Sequence, residues 1–182
     1  MAHQRTDSYL QDSLAVFRYY KKLAESAMAQ CPDDGLCKAP DGESNSIAIV
    51  VKHMAGNMRS RWTDFLTSDG EKPNRNRDSE FESPAATREE LLKQWEGGWS
   101  YLFSALEPLN DADITRIITI RTEPHSVMQA INRQIAHYSY HVGQIVFLAK
   151  HFGADHWKAL TIPRKKSADF NAAVASGRKS QR

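Results

Sequence analysis

Apolar residues recur at three- and four-residue steps along four long stretches of the chain, and this spacing predicts four amphipathic helices. The first predicted helix runs from about residue 8 to 30, and the second from about 45 to 66. The third begins at Thr87, and the fourth covers residues 126–152. Because four helices of about 20 residues can bury their apolar stripes against one another, the pattern predicts an all-α fold in the form of a four-helix bundle.

The ends of the predicted helices carry short sequence signals. The segments "TREE" at 87–90 and "SVMQ" at 126–129 are capping boxes. In such a box the first side chain bonds the backbone N–H of the fourth residue, and the fourth side chain bonds the N–H of the first. Ser44 or Asn45 is expected to cap the second helix, and Gly153 is expected to end the fourth.

The connections between the predicted helices differ in length and character. Residues 67–86 are polar and longer than an ordinary connection, which indicates either a functional lid or a long crossover between the second and third helices. In a lid, Arg75 and Arg77 would bind a carboxylate of a substrate, whereas in a plain crossover they would be solvated or form salt bridges. The β-branched run at 114–120 predicts a short extended segment, and Gly97–Gly98 predicts a close approach or a bend in the third helix.

The composition excludes several classes of partner. With 25% charged residues and a formal net charge of +2, the chain has no excess of one charge that points to nucleic acid or a membrane surface. The longest apolar run, at 47–51, is too short to span a bilayer, and the first residues do not resemble a signal peptide, so a cytoplasmic location is expected. In that reducing compartment, Cys31 and Cys37 are expected to be two loop thiols rather than a disulfide or a zinc knuckle. The bundle is expected to occupy residues 1–163, followed by a polar tail at 164–182.

The fourth predicted helix carries two histidines four residues apart, in "QIAHYSYHVGQ". His137 and His141 fall on one helix face, with Cβ atoms roughly 5–6 Å apart. Gln134 and Gln144 extend this polar row beside the apolar stripe, which indicates a groove or an internal polar site. The histidine pair alone fits either a metal site or two ordinary histidines in a wet groove.

A metal site would need a third ligand, which in a bundle comes from a facing helix. His53 on the second predicted helix is expected to point inward, although a single histidine at such a position is more often an ordinary core residue. Asn57 and Arg61 follow on the same face, where they would either orient a substrate or remain surface groups. Three protein ligands would leave positions open for water or substrate, which favours catalysis over a closed structural site. No acidic or basic side chain is predicted beside the ligands, and Tyr140 is expected to be packed.

The strings "HMAGNMRSRW" on the second helix and "HYSYHVGQI" on the fourth resemble the DinB-like superfamily of bacterial four-helix proteins, over residues 8–163. The strings "SRWTDFLTSDGEKPNRNRDSEF" and "HYSYHVGQIV" resemble a branch of that superfamily whose function is unknown. The resemblance implies an up-down-down-up bundle, often dimeric, with a divalent metal on His53, His137 and His141. Related members include transferases that join a low-molecular-weight thiol to an electrophile, and isomerases that use such thiols.

We therefore expect a divalent-metal-binding, DinB-like protein that acts as a metal-dependent small-molecule enzyme such as a thiol S-transferase. The alternatives are a non-catalytic metal-binding stress or interaction protein and a metal-free interaction module whose histidines only line a groove. Zinc or nickel is the expected metal, with iron and manganese as further candidates. The expected partners are a small-molecule substrate, with a low-molecular-weight thiol as one candidate, and a second copy of the chain in a homodimer. The expected site residues are the metal ligands His53, His137 and His141 and the supporting or substrate-binding residues Asn57, Arg61, Gln134 and Gln144.

Overall fold

The computed structural model describes residues 5–82, 84–85 and 87–180. Helices make up most of this part of the chain, and one antiparallel pair of strands accompanies them, which confirms the expected mostly helical fold. The elements are α1 (Tyr9–Met28), α2 (Asp33–Cys37), α3 (Ile47–Trp62), α4 (Arg88–Leu106), β1 (Ile117–Ile120), β2 (Glu123–Ser126), α5 (Val127–Phe152) and α6 (Ser167–Ala175). Short 3-10 turns lie at Asp78–Phe81, Asp111–Thr115 and Ala154–His156.

The four long helices share one apolar core. Helix α1 packs mainly against α5, α3 packs mainly against α4, and α3 also contacts α5. Buried aromatic rings fill the centre, where the ring centroids of Trp99 and Tyr138 lie 5.7 Å apart in an edge-to-face arrangement that aromatic pairs favour. No described helix, α5 with its 26 residues included, has the length and apolar character to cross a membrane.

Both predicted capping boxes are present. At α4 the Thr87 side chain accepts a hydrogen bond from the N–H of Glu90, and the Glu90 carboxylate accepts one from the N–H of Thr87. Ser126 and Gln129 form the same reciprocal pair at α5. Helix α5 ends at Gly153, as its sequence predicts.

Helix α3 begins and ends at other residues than predicted. Ser46, rather than Ser44 or Asn45, caps its start, because the Ser46 hydroxyl accepts a hydrogen bond from a first-turn N–H at 3.3 Å. The helix ends earlier than predicted, at Trp62, and the chain then turns at Asp64, whose φ of 46° is incompatible with a right-handed helix.

The predicted extended segment at 114–120 is only partly a strand. Its first residues belong to the 3-10 turn at Asp111–Thr115, and the remainder forms β1, which pairs with β2. Arg121 and Thr122 connect the strands, and their φ values of 53° and 66° give the left-handed turn that suits a tight hairpin. The carboxylate of Asp69 accepts hydrogen bonds from both turn N–H groups, at 2.8 and 2.7 Å, and so holds the hairpin against the 67–86 linker.

Both cysteines are thiols rather than a disulfide, as the sequence predicts, but Cys37 does not lie in a loop. Cys31 is buried, and Cys37 is the exposed last residue of the short helix α2, so "CPDDGLC" forms a helical turn against the core. Both thiols are free. Burial raises the pKa of Cys31 to about 11, which keeps this thiol protonated and poorly nucleophilic at neutral pH.

The predicted polar tail at 164–182 contains helix α6. None of the residues of α6 is buried. The boundary at residue 163 between the helical bundle and the polar tail stays a prediction.

The two adjacent glycines of α4 have different surroundings. A Cβ atom on Gly98 would lie 2.8 Å from the Cα of Ala55 in α3, whereas a Cβ on Gly97 would meet no described atom within 4 Å. Gly98 therefore permits the close approach of α3 and α4 that the glycine pair predicts, and Gly97 does not contribute to it.

Alanine at these two positions is expected to have opposite effects. Gly98→Ala should lower the free energy of unfolding by about 1–3 kcal/mol, because the backbone of α3 must move to accept the new methyl group. Gly97→Ala should raise it by about 0.5–1 kcal/mol, because alanine favours the helix and contacts nothing. Urea denaturation of both variants measures the difference, and equal shifts in the same direction would contradict this account of the α3–α4 contact.

Candidate metal centre

Three histidine side chains from two facing helices converge at one point. His53 comes from α3, and His137 and His141 come from successive turns of α5. The Nε2 atom of His137 lies 3.4 Å from Nε2 of His53 and 3.1 Å from Nε2 of His141. All three ligand atoms lie within 4.8 Å of one another, so the three predicted histidines could hold one metal ion.

The outer nitrogens of two of these imidazoles are already occupied. Nδ1 of His53 lies 2.9 Å from Oε2 of Glu80, and Nδ1 of His141 lies 2.8 Å from Oε1 of Gln144. Both partner oxygens can only accept, so each Nδ1 donates its proton. In a neutral imidazole the opposite nitrogen, Nε2, then carries a lone pair that points at His137.

Hydrogen bonds among the imidazoles alone leave this cluster unsatisfied. The Nε2 of His137 faces two lone pairs and has at most one proton to donate. A cation at the centre would interact favourably with all three nitrogens. Histidines that bind metals in proteins usually donate a hydrogen bond from their second ring nitrogen to a carboxylate or a carbonyl, as His53 and His141 do here.

The spacing of the nitrogens fits a small divalent ion. A tetrahedral zinc ion with nitrogen ligands at about 2.0–2.1 Å holds those nitrogens about 3.3–3.4 Å apart. The two Nε2–Nε2 distances, 3.4 and 3.1 Å, are close to this value. Among the described residues the cluster offers three ligand atoms, so a bound ion would keep further coordination positions open.

The surroundings keep the imidazoles of His137 and His141 neutral, as a metal ligand requires. Burial, together with the neighbouring positive groups, including His141 and Arg61, lowers the pKa of His137 to about 3. Burial also lowers the pKa of His141, although its bond to Gln144 partly opposes this effect. At neutral pH these two rings therefore need not lose a proton before they bind a cation.

Glu80 is a residue of the site that the sequence analysis missed. It lies in the 3-10 turn of the 67–86 linker, and its side chain is only 8% exposed. Arg75 grips the carboxylate with two bonds, Nε to Oε1 at 2.8 Å and Nη2 to Oε2 at 2.9 Å. Burial alone would raise the pKa of Glu80, but the bonds from His53 and Arg75 outweigh it and lower the pKa, so the carboxylate is ionised. The expectation that no acidic side chain lies beside the ligands is wrong.

The linker is therefore a packed part of the site. Gly56 of α3 makes room for it, because a Cβ at that position would lie 2.4 Å from Oε1 of Glu80. Arg75 also binds Glu71 at 3.1 Å, and the same Glu71 oxygen lies 3.4 Å from Nε of Arg121 in the hairpin turn. These ion pairs connect the linker to the hairpin, and no spacing rule in the sequence indicates them.

The predicted supporting residues have different roles. Gln144 contacts His141 as the sequence suggests, but Gln134 donates instead to Oδ1 of Asn57 at 2.6 Å and to the hydroxyl of Tyr138 at 2.7 Å. This buried amide and phenol network joins α3 to α5 one turn away from the histidines. Its groups hold the two helices in register next to the site.

A cavity of ≈ 550 Å³ opens in front of the histidines. Asn57, Arg61, Gln134 and Gln144, the four residues predicted to support the site, all line it. Tyr140 lines it as well and is 64% exposed, so the expectation that this tyrosine is packed is wrong. Five arginines complete the wall: Arg61, Arg75, Arg77, Arg121 and Arg133.

The sequence matches a known protein family. A family described as "Protein of unknown function (DUF1572)" matches residues 4–166, which include all three histidines and Glu80. No curated protein matches the chain.

Proposed function

The chain belongs to the family described as "Protein of unknown function (DUF1572)", and we propose its function from the geometry of the site. We propose that it is a divalent-metal-binding protein that acts on a small molecule. His53, His137 and His141 would hold the ion. The observation that carries the proposal is the convergence of their three nitrogens, with the outer nitrogens of His53 and His141 bound to Glu80 and Gln144.

The donor set indicates which ions are suitable. Neutral imidazole suits zinc and nickel, our first choices, and also iron, whereas manganese prefers oxygen ligands. When bound, such an ion would lower the pKa of a coordinated water or stabilise a thiolate at neutral pH. The protein would contribute fixed ligand geometry through Glu80 and a cavity that admits a small molecule.

We propose further that the fold is an up-down-down-up four-helix bundle of the DinB-like superfamily. The packing of α1 on α5 and of α3 on α4 supports this arrangement, with the 67–86 linker as the crossover. In that superfamily, transfer of a low-molecular-weight thiol to an electrophilic molecule is the reaction that suits such a site. We therefore propose a metal-dependent thiol S-transferase, and a homodimer as its assembled form.

A non-catalytic metal-binding protein is the second candidate. It is favoured by the state of Glu80, the carboxylate beside the ligands, which is committed to His53 and Arg75. None of the described residues that line the cavity is acidic, so a general base for catalysis would have to come from the metal site or the substrate.

A thiol-transfer assay tests the first proposal and separates it from the second. The full chain, loaded with zinc or nickel, is incubated with cysteine or glutathione and the fluorogenic electrophile monobromobimane. Conjugation above the uncatalysed rate is expected, with a return to the uncatalysed rate in His137→Ala/His141→Ala and no change in His151→Ala, an exposed histidine of the same helix. Metal binding without any acceleration, across thiols, would favour the second candidate.

A further inference from the structure

The cavity in front of the histidines has a strongly positive wall. Five of its lining residues are arginines, and none of the described lining residues is acidic. The arginines come from separate parts of the chain: Arg61 from α3, Arg75 and Arg77 from the linker, Arg121 from the hairpin turn and Arg133 from α5. Glu80 pairs with Arg75, and Glu71 is shared by Arg75, Arg121 and Arg61. Among the ion pairs of the described residues, two carboxylates therefore serve a wall of five arginines, which leaves most of the positive charge of the wall uncompensated.

Arg61 is the most unusual of these residues. Its side chain is 3% exposed, yet neither Nε nor Nη1 has a hydrogen-bond partner among the described residues. Its nearest carboxylate, on Glu71, is 3.8 Å from Nη2 and is shared with Arg75 and Arg121. A buried cation without hydrogen bonds is costly, and an anion in the cavity would offset that cost.

Gly70 lets the Arg61 guanidinium pack between the linker and the cavity. A Cβ on Gly70 would lie 2.8 Å from Nη1 of Arg61, so any larger residue would displace the guanidinium. The Gly70 N–H bonds to the carbonyl of Thr119 in β1 at 2.8 Å, which fixes this piece of the linker against the hairpin. The position of Arg61 is therefore built by the fold.

The two facing helices bring Arg133 to the same end of the cavity as Arg61. His53 of α3 contacts His137 of α5, and one turn further along α3 Asn57 contacts Gln134. The two helices therefore run antiparallel here, so forward along α3 and backward along α5 the chain reaches Arg61 and Arg133 in the same direction. Arg133 lies one turn before His137, about 6 Å along the helix axis, and Arg61 lies two turns after His53, about 12 Å along the axis. Arg133 is exposed and forms no ion pair with a described residue.

Arg121 is held at the rim of this same end. It occupies the left-handed hairpin turn that Asp69 fixes through two backbone bonds, at 2.8 and 2.7 Å. Tight turns of this kind usually contain Asn and Gly, because other residues are strained there. Among the described residues, Arg121 forms an ion pair with the shared Glu71, with its Nε 3.4 Å from the carboxylate oxygen.

From this arrangement we propose that the substrate carries an oxyanion, a carboxylate or a phosphate, which Arg61, Arg121 and Arg133 bind one to two helical turns from the histidines. The inference rests on the proposed function, because it assigns this anion to the molecule that reacts at the metal centre. Arginine suits the role, since its planar donors match the oxygens of both anions. The anion site itself uses no metal ligand and can be tested with or without an ion.

Isothermal titration of the full chain with succinate, inorganic phosphate and uncharged succinamide tests the inference. Each titration is run on chelator-treated and on zinc-loaded protein. Succinate or phosphate is expected to bind in both forms, the tighter of the two identifying the anion, and succinamide is expected not to bind. Arg61→Gln and Arg133→Gln should each weaken anion binding by about tenfold, the value of one charge-assisted hydrogen bond. Arg164→Gln removes the same charge from an exposed position outside the cavity and should have no effect.

The outcomes separate this inference from the proposed metal centre. Metal content should be unchanged in both arginine variants, and thermal denaturation checks that Arg61→Gln is folded. The inference is overturned if neither anion binds, or if Arg61→Gln and Arg133→Gln bind it as tightly as Arg164→Gln, whatever the metal content. Arginine-dependent anion binding to a protein that takes up no metal would support the anion site and refute the metal centre.

Discussion

Replacing His137 with alanine is expected to weaken zinc or nickel binding by roughly a hundredfold or more. Zinc sites with four ligands bind with about 10–16 kcal/mol, so one ligand contributes about 2.5–4 kcal/mol. His137 is the ligand that matters most, because its Nε2 is within 3.4 Å of both other imidazole nitrogens. Competition titration against a chromogenic chelator measures the change in affinity.

The matched control for this variant is His151→Ala. His151 lies in the last turn of the same helix, is exposed, and is outside the cluster of three histidines. It should bind the ion as the unmodified chain does, and circular dichroism of both variants checks that α5 is intact. Equal affinities for His137→Ala and His151→Ala would mean that the ion binds elsewhere.

Replacing Glu80 with glutamine is expected to lower metal affinity by about 10–100-fold, the usual effect of losing a carboxylate that supports a ligating histidine. It should also lower the free energy of unfolding of the metal-free protein, by about 1–3 kcal/mol, because Arg75 loses a charged partner. Arg75 is 4% exposed, so water cannot replace that partner fully. Chelator competition and urea denaturation measure the two effects separately.

Two further variants complete this test: one removes a nearby carboxylate as a control, and the other displaces Glu80 without changing its charge. Glu82→Gln changes an exposed carboxylate two residues away and should leave both quantities unchanged. Gly56→Ala keeps Glu80 but places a methyl group 2.4 Å from its Oε1, so it should lower metal affinity although alanine favours the helix. If Glu80→Gln and Gly56→Ala bound the ion as tightly as Glu82→Gln, Glu80 would have no part in orienting His53.

The sequence was sufficient for the helical framework and for the three histidines. Helical periodicity and the capping boxes at Thr87 and Ser126 locate α4 and α5, because these signals are local and act within one turn. The four-residue spacing of His137 and His141 fixes their common face for the same reason. His53 is predictable because the inward face of α3 is also set by periodicity, whereas the pairing of α3 with α5 is not encoded in that pattern.

The remainder of the site depends on contacts that no local pattern encodes. Glu80 reaches His53 across 27 positions of sequence through a linker without periodicity. The only available signal was a charged linker of unusual length, which did not indicate which carboxylate turns inward. The hairpin that presents Arg121 depends on Asp69, 52 positions earlier, and a turn of Arg-Thr gives no hairpin signal.

Local sequence patterns also mislead where tertiary packing determines the conformation of a segment or the direction of a side chain. "CPDDGLC" has the composition of a loop, yet it forms α2 because Leu36 is buried in the core beside Cys31. Tyr140 follows the packed Tyr138 on α5, but it points into the open cavity instead of the core. In both cases the surroundings of the residue in the folded chain, which one sequence does not reveal, decide the outcome.

The most direct test of the central claim is the metal content of the untagged full chain, measured by inductively coupled plasma mass spectrometry after dialysis. The three converging imidazoles predict about one zinc or nickel ion per chain, and loss of that ion in His137→Ala/His141→Ala. Absence of bound metal, even after reconstitution with zinc and with nickel, would contradict the account and leave the histidines as the polar lining of a groove.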